Sequence, residues 1–362
     1  EIYTLSLHDA LPIWSASTTV NTIKTTTNAA IEGKDTAVTA RGAAYDDATE
    51  TRVSAEVQDK VADNEILHDY VNDTSSLQPA TYIPRQASAY EGVAVSASST
   101  NKINVIAGNV GAAAMGVGVG GNVTVSTIGG ATNARIDKAQ VTSDKDVKVI
   151  ARDYANNMGA LGTGSIDGVS GAVGIASNTT TINRDTVAEV TGRNRTANDI
   201  KARDFTVEAV AHHGIASIDV AGSIAAVGVA NANDVALLSG RTRAGISNVN
   251  ASLSRNFNLE ANRKANLHLI TGTAGIGAVG AGVSVNVVQD HSETEAAAKT
   301  SRIAFTANDV SHASVKAVNR SDSEWRTLAV GGGIVGGAAG VGVANFKHRV
   351  AASLQEIGRA HV

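Results

Sequence analysis

Read along its length, the chain alternates apolar and polar residues in short bursts that return at nearly constant intervals. Asp204-Phe205-Thr206-Val207-Glu208-Ala209 is one such burst, and Gly92-Val93-Ala94-Val95-Ser96-Ala97, Asp146-Val147-Lys148-Val149-Ile150-Ala151, Asn256-Phe257-Asn258-Leu259-Glu260-Ala261 and His312-Ala313-Ser314-Val315-Lys316-Ala317 repeat it. Marked by Ala97, Ala151, Ala209, Ala261 and Ala317, the bursts are 54, 58, 52 and 56 residues apart. Alternation with a period of two puts every second side chain on one face of a strand. Its recurrence at this spacing means stacked β units sharing one core. The expected fold is therefore all-β, a parallel β-helix (β-solenoid) of repeats about 55 residues long. Each repeat contains several short alternating runs, so it is expected to supply two or three rungs of the stack.

A second marker, Thr-x-Ala-x-apolar, begins at Thr27, Thr132, Thr186, Thr242 and Thr294, with steps of 105, 54, 56 and 52. The long first step implies about 50 inserted residues, and composition places them at 42–91. That stretch holds Pro79, Pro84 and four tyrosines: Tyr45, Tyr70, Tyr82 and Tyr90. In its first half, Val53, Val57, Val61, Ile66, Leu67 and Tyr70 fall at helical intervals among charged residues. The expectation is one inserted amphipathic helix followed by an irregular arm, both projecting from a turn of the array.

Composition narrows the interior. Gly, Ala and Val abound, while Phe, Trp and Tyr make up only 3% of residues, so the core must be thin and filled by small and β-branched side chains. With no cysteine, neither a disulfide nor a thiolate zinc site can hold it together. The formal charge of -4 is too small and too mixed in sign to favour nucleic acid or an anionic membrane. The longest stretch without a charged or strongly polar residue, 328–344, is Gly/Ala-rich and makes a poor membrane span. Residues 1–13 resemble the in-frame translation of a short-read sequencing adapter, and residues 356–362 the opposite adapter. The solenoid domain is accordingly taken as 14–355, with both natural ends expected to be missing.

Candidate chemistry is sparse. Gly116 to Gly121 and Gly275 to Gly280 match the dinucleotide pattern G-x-G-x-x-G, but alternation continues after each where a helix should begin. His212-His213 is the one histidine pair; with Glu208 about 13 Å away along an extended strand, it reads as a solvated strand end. Asp144 with Asp146, Asp46 with Asp47, and the 164–168 turn offer oxygen to calcium singly, without a repeating ligand loop. Asn122, Asn178, Asn286, Asn231 and Asn345 recur near the glycines that open each repeat, as stacked asparagines at a coil corner would. Asp185, Glu189 and Arg193 come nearest to the clustered carboxylates of a polysaccharide-cleaving β-helix. No residue is assigned as catalytic, metal-ligating or cofactor-binding, and no cofactor is expected.

The recurring Gly-Val-x-Val/Ala-x-Asn, Thr-x-Ala-x-Ile and Asp-Val-x-Val-x-Ala resemble the repeat region of leukotoxin-type filamentous adhesins and related haemagglutinin-like exoproteins. The resemblance implies a right-handed fibre, two-partner secretion from a Gram-negative cell through an outer-membrane pore, and attachment to a host-cell protein or glycan. On that reading the chain is a non-enzymatic stalk segment, extracellular or on the cell surface. Tyr45, Tyr70, Tyr82 and Tyr90 are its candidate contacts, because aromatic residues carried on a rigid scaffold suit recognition. The alternative function is a carbohydrate-active β-helix, a polysaccharide lyase or hydrolase.

Overall fold

The structure is a computed structural model that describes residues 13–40, 52–60, 92–114, 116–193, 198–306 and 312–355. The chain opens with β1 (Ile13–Glu32), β2 (Ala37–Ala40) and β3 (Arg52–Lys60). Coils of two long strands and one short strand follow: β4 (Gly92–Ala113), β5 (Val117–Asp137), β6 (Gln140–Ser143); β7 (Asp146–Asp167), β8 (Gly171–Thr191), β9 (Ile200–Ala202). The next are β10 (Phe205–Ile224), β11 (Val227–Ser247), β12 (Asn250–Leu253), then β13 (Phe257–Ile276), β14 (Val279–Lys299), β15 (Arg302–Phe305). Finally come β16 (Ala313–Gly332) and β17 (Val335–Gln355).

Three parallel sheets result. The first long sheet has the order β16-β13-β10-β7-β4-β3, the second β1-β5-β8-β11-β14-β17, and the short sheet β15-β12-β9-β6-β2. Successive coils therefore stack directly, as a parallel β-helix does. Long strands of about 20 residues extend roughly 65 Å, and neighbouring strands lie about 4.8 Å apart. The cross-section is long and thin, with the short sheet closing one end.

The repeating bursts land in register. Val93, Val147, Phe205, Phe257 and Ala313 form one row of partners; Val95, Val149, Val207, Leu259 and Val315 form the next; and the alanine markers form a third. The threonine markers Thr27, Thr132, Thr186, Thr242 and Thr294 likewise pair in sequence along the second long sheet. A one-residue slip would turn all of these outward, so the core itself fixes the register. Val207 is fully buried and Lys148 points out towards Asp146. Val207→Ala is expected to destabilise by about 2 kcal/mol, against less than about 0.5 kcal/mol for Lys148→Ala; comparing the two melting temperatures checks the inward row.

Two expectations change. One repeat makes one coil, not two or three rungs, because each long strand continues for some 20 residues before the chain turns. The inserted helix is also corrected where it can be seen: residues 52–60 form β3, which pairs with β4 from Arg52 opposite Gly92 to Lys60 opposite Thr100. The spacing of Val53, Val57 and Val61 is an even number, so it suits one face of a strand as well as one face of a helix. The ladder offered by β4 decides between them. The remainder of that helix, the arm, residues 1–12 and residues 356–362 lie outside the described residues.

Inside the coil, apolar and polar layers alternate along the strands. Beside the short sheet sits the largest apolar cluster, including Val149, Val207, Leu259, Ile136 and Ile246, with Phe205 and Phe257 in tilted contact at 5.6 Å between ring centres. A second cluster follows around Ile128, Ile182, Ile215, Leu238 and Leu267, and a third holds only Ala176, Ala221, Ala230 and Ala232. At this alanine end the long sheets nearly touch. A Cβ on Gly120 would lie 2.3 Å from the Gly164 carbonyl oxygen, and one on Gly282 2.5 Å from that of Val330. Hydrogen therefore occupies the side-chain position there because no carbon fits.

Candidate functional site

The chemistry of this protein is concentrated between the apolar layers, on inward-facing strand positions. The first polar layer is ionic. Asp153 on β7 receives Arg184 from β8, with Nε at 2.9 Å from both carboxylate oxygens and Nη2 at 2.5 Å from Oδ1. His213 on β10 places Nε2 3.2 Å from Asp153 Oδ2. The guanidinium is further satisfied by the Thr25, Ser99 and Thr132 hydroxyls and the Gly129 carbonyl. Arg184 and Asp153 are each about 1% exposed. Two coils later the pattern returns with the sheets exchanged. Arg263 on β13 grips Asp290 on β14 through Nη1 at 3.0 Å and Nη2 at 2.9 Å, and His348 on β17 approaches Asp290 at 3.0 Å.

The electrostatics follow from this pairing. Burial by itself raises Asp153, but the His213 hydrogen bond and the Arg184 charge outweigh it and hold the carboxyl below its usual range. Asp290 behaves alike: burial raises it, and the Arg263 charge and hydrogen bonds prevail. Burial pushes His213 down, against the pull of Asp153, so the ring stays neutral and uses its Nε2 proton to donate to Asp153. An Asp–His pair of this kind orients a general base in many hydrolases. Here His213 is 4% exposed and Asp153 1%, so the pair faces the interior and not a substrate.

The second polar layer, between the second and third apolar clusters, is made of Ser, Thr, Asn and Asp. Asn178 donates from Nδ2 to Asp234 Oδ1 at 3.3 Å, and the Ser217 hydroxyl donates to Asp234 Oδ2. Asp219 lies in the same layer, buried, with neither carboxylate oxygen hydrogen-bonded. Burial, reinforced by the charge of Asp234, pushes Asp219 up to about 9, and burial pushes Asp234 up to about 7.

The residues singled out from sequence are dispersed by this architecture. Tyr45, Tyr70, Tyr82 and Tyr90 lie outside the described residues, as do Asp46 and Asp47. His213 is not at a solvated strand end: stacking brings Asp153 of the preceding coil beside it, a contact invisible along its own strand. The asparagines do not form one corner column. Asn178, Asp234 and Asn286 are partners in register in mid-strand, whereas Asn122 faces Ala176. Asn122 and Asn286 donate across the interior to the Gly162 and Arg326 carbonyl oxygens, at 2.9 and 3.1 Å. Gly275 to Gly280 spans the tight turn between β13 and β14, whereas Gly116 directly precedes β5 and 117–121 lie within that strand.

On the outside, charges pair from coil to coil. Arg241 meets Asp185 at 3.0 Å and Arg243 lies between Glu189 at 3.8 Å and Glu295 at 3.4 Å, whereas Arg193 holds the buried Asp199 of its own coil at 3.1 Å. The nearest approach to a carboxylate cluster is thus spent on ion pairs. Asp146 binds Arg203 at 2.9 Å, and Asp167 accepts the Val169 and Ser170 amides at 2.8 Å to close its turn. A shallow recess of about 580 Å³ lies along β11, β14 and β17, with Arg241, Glu293 and Phe346 on its walls. Among the described residues no group of three or more His, Asp or Glu side chains converges on a point, and no helix is long and apolar enough to cross a membrane. No protein-family model, curated protein or solved structure matches the chain.

The ionic layer was missed from sequence. Asp153, Arg184, Arg263 and Asp290 sit at the inward parity set by the neighbouring valines, isoleucines and alanines. Counting in twos from Val149 to Asp153, or from Ala261 to Arg263, would have exposed them as charged residues in core positions.

Proposed function

We propose that this chain is a length of rigid, non-enzymatic fibre, the stalk of a secreted or surface-exposed bacterial adhesin. The observation that carries the reading is the direct, in-register stacking of all three sheets from coil to coil. Such a stack grows along one axis, and each added coil lengthens it by about 4.8 Å without altering the cross-section. Its strongest ionic groups are spent inside, on cohesion between the sheets. What such a segment offers a cell is distance and stiffness, with recognition delegated to what it carries.

The insertion at 42–91 is the proposed contact surface, meeting a host-cell protein or glycan through Tyr45, Tyr70, Tyr82 and Tyr90. It lies between β2 and β4, and its described part, β3, pairs with β4 at the edge of the first long sheet, so a recognition element carried by the rest of it leaves the coils from β4 onward intact. The family resemblance adds an outer-membrane secretion partner and an extracellular setting. Replacing all four tyrosines with serine is expected to reduce binding to host cells or immobilised glycans at least tenfold while the circular dichroism spectrum is unchanged. Equal binding by the variant and the parent would remove the insertion as the contact surface. Release of new sugar ends from polysaccharides incubated with the purified chain would overturn the non-enzymatic reading.

A further inference from the structure

We propose that the interior between β10, β11, β13 and β14 is a binding site for a hard divalent cation of the calcium type, built from Asp219, Asp234, Thr271 and Asn286. Register places these residues together. Thr271 is the partner of Asp219 on the adjacent strand of the first long sheet, and Asn286 is the partner of Asp234 on the second. Each pair is thus about 4.8 Å apart. The Ser217 hydroxyl spans the interior to Asp234 Oδ2, and Asp219 follows Ser217 by two residues on the same face, about 7 Å along the strand. The two pairs therefore face one another across the gap between the sheets.

The donor set points to a cation. All four residues have 0% exposure. Both carboxylate oxygens of Asp219, the Thr271 hydroxyl and the Asn286 side-chain oxygen have no hydrogen-bond partner. The Asn286 amide nitrogen is committed to the Arg326 carbonyl, which turns its oxygen back into the layer. Ser217 and Asn178 are already committed to Asp234. In contrast to Asp153 and Asp290, neither acid has a basic residue paired with it. Two buried carboxylates with no basic residue beside them, one of them without a single hydrogen bond, require positive charge, which either protons or a metal ion must supply.

Carboxylate, amide and hydroxyl oxygens are hard ligands, and two carboxylates balance a divalent charge. Calcium accepts irregular, many-oxygen cages, whereas magnesium insists on octahedral geometry and gives up its water reluctantly. A dry site inside a sheet sandwich suits the former. Binding would release the protons that burial otherwise keeps on Asp219 and Asp234, so it strengthens as pH rises. The ion would enter as the coils close on one another, since all four ligating residues are sealed afterwards.

The test refolds the full chain from denaturant at pH 8 in calcium chloride, magnesium chloride or chelator, removes free metal by gel filtration, and measures bound metal by mass spectrometry. About one calcium per chain is expected, with at least tenfold less magnesium. The Asp219→Asn/Asp234→Asn variant keeps the side-chain shapes without the charge and is expected to fold but retain no calcium. If the parent refolded in calcium carries no more metal than that variant, the proposal fails. It fails equally if the infrared band of protonated carboxyls in the parent is the same in calcium as in chelator, because the pair is then a proton site.

Discussion

Replacing Arg184 with methionine is expected to destabilise the solenoid around β7 and β8 by about 3–5 kcal/mol, the loss typical of a buried ion pair deprived of one partner. Methionine keeps the length of the side chain but leaves the Asp153 carboxylate with only the neutral His213 and the Thr132 hydroxyl to face it. The gaps left among Thr25, Ser99 and Thr132 add to the loss. Combining Arg184→Met with Asp153→Leu should recover most of it, because an apolar pair of similar volume often replaces a buried ion pair at little net cost. Arrays lose coils unevenly, so the measurement is native-state hydrogen exchange of the β7 and β8 amides in both variants. An Arg184→Met effect below about 1 kcal/mol, the range of exposed pairs, would show that water reaches this layer.

How much of this was legible in the sequence depends on which face of the strand a residue occupies. The rows through Val149, Val207 and Leu259 and the threonine row through Thr186 and Thr242 were readable, since hydrophobicity and residue type repeat there with the period of the coil. Strand length was not. Asp153, His213, Arg263, Asn178 and Asp234 all point inward, so the alternation looks broken wherever a polar layer crosses the strand. Each break mimics a turn, and one long strand then reads as several short ones. Glycine misled in a similar way. Gly118 faces Ala172 and Gly228 faces Gly280, so the Gly-Val steps are not register marks. They are the places where the two sheets come too close for a side chain. The pairing of Arg184 with Asp153 joins residues 31 apart on opposite sheets, and it depends on where the chain turns, which composition alone did not fix.

The second large effect concerns pH, in chelator so that protons alone serve the second polar layer. Asp219 and Asp234 are raised in the folded chain to about 9 and about 7, above an unfolded value near 4. Between those limits the folded state holds more protons than the unfolded one, so stability falls as pH rises. Each carboxyl that stays protonated only when folded removes about 1.4 kcal/mol per pH unit, hence on the order of 3 kcal/mol from pH 5 to pH 7 for Asp219 alone. Asp153 and Asp290 act with the opposite sign. Their lowered values give stability that is present above about pH 4 and lost as pH falls further. His213, lowered by burial, likewise withdraws stability as pH drops below about 6.5. Two carboxyls outweigh one imidazole between pH 4 and pH 6.5, so the maximum should lie near pH 4 to 5, on the acid side of neutrality. Denaturant midpoints at pH 5, 7 and 9 measure this directly, and Asp219→Asn should flatten the decline by about half from pH 5 to 7 and remove most of it from pH 7 to 9. A midpoint that stays level or rises from pH 5 to pH 9 would mean that the two acids are solvated or paired, and that the second polar layer is not the sealed, acceptor-rich space described above.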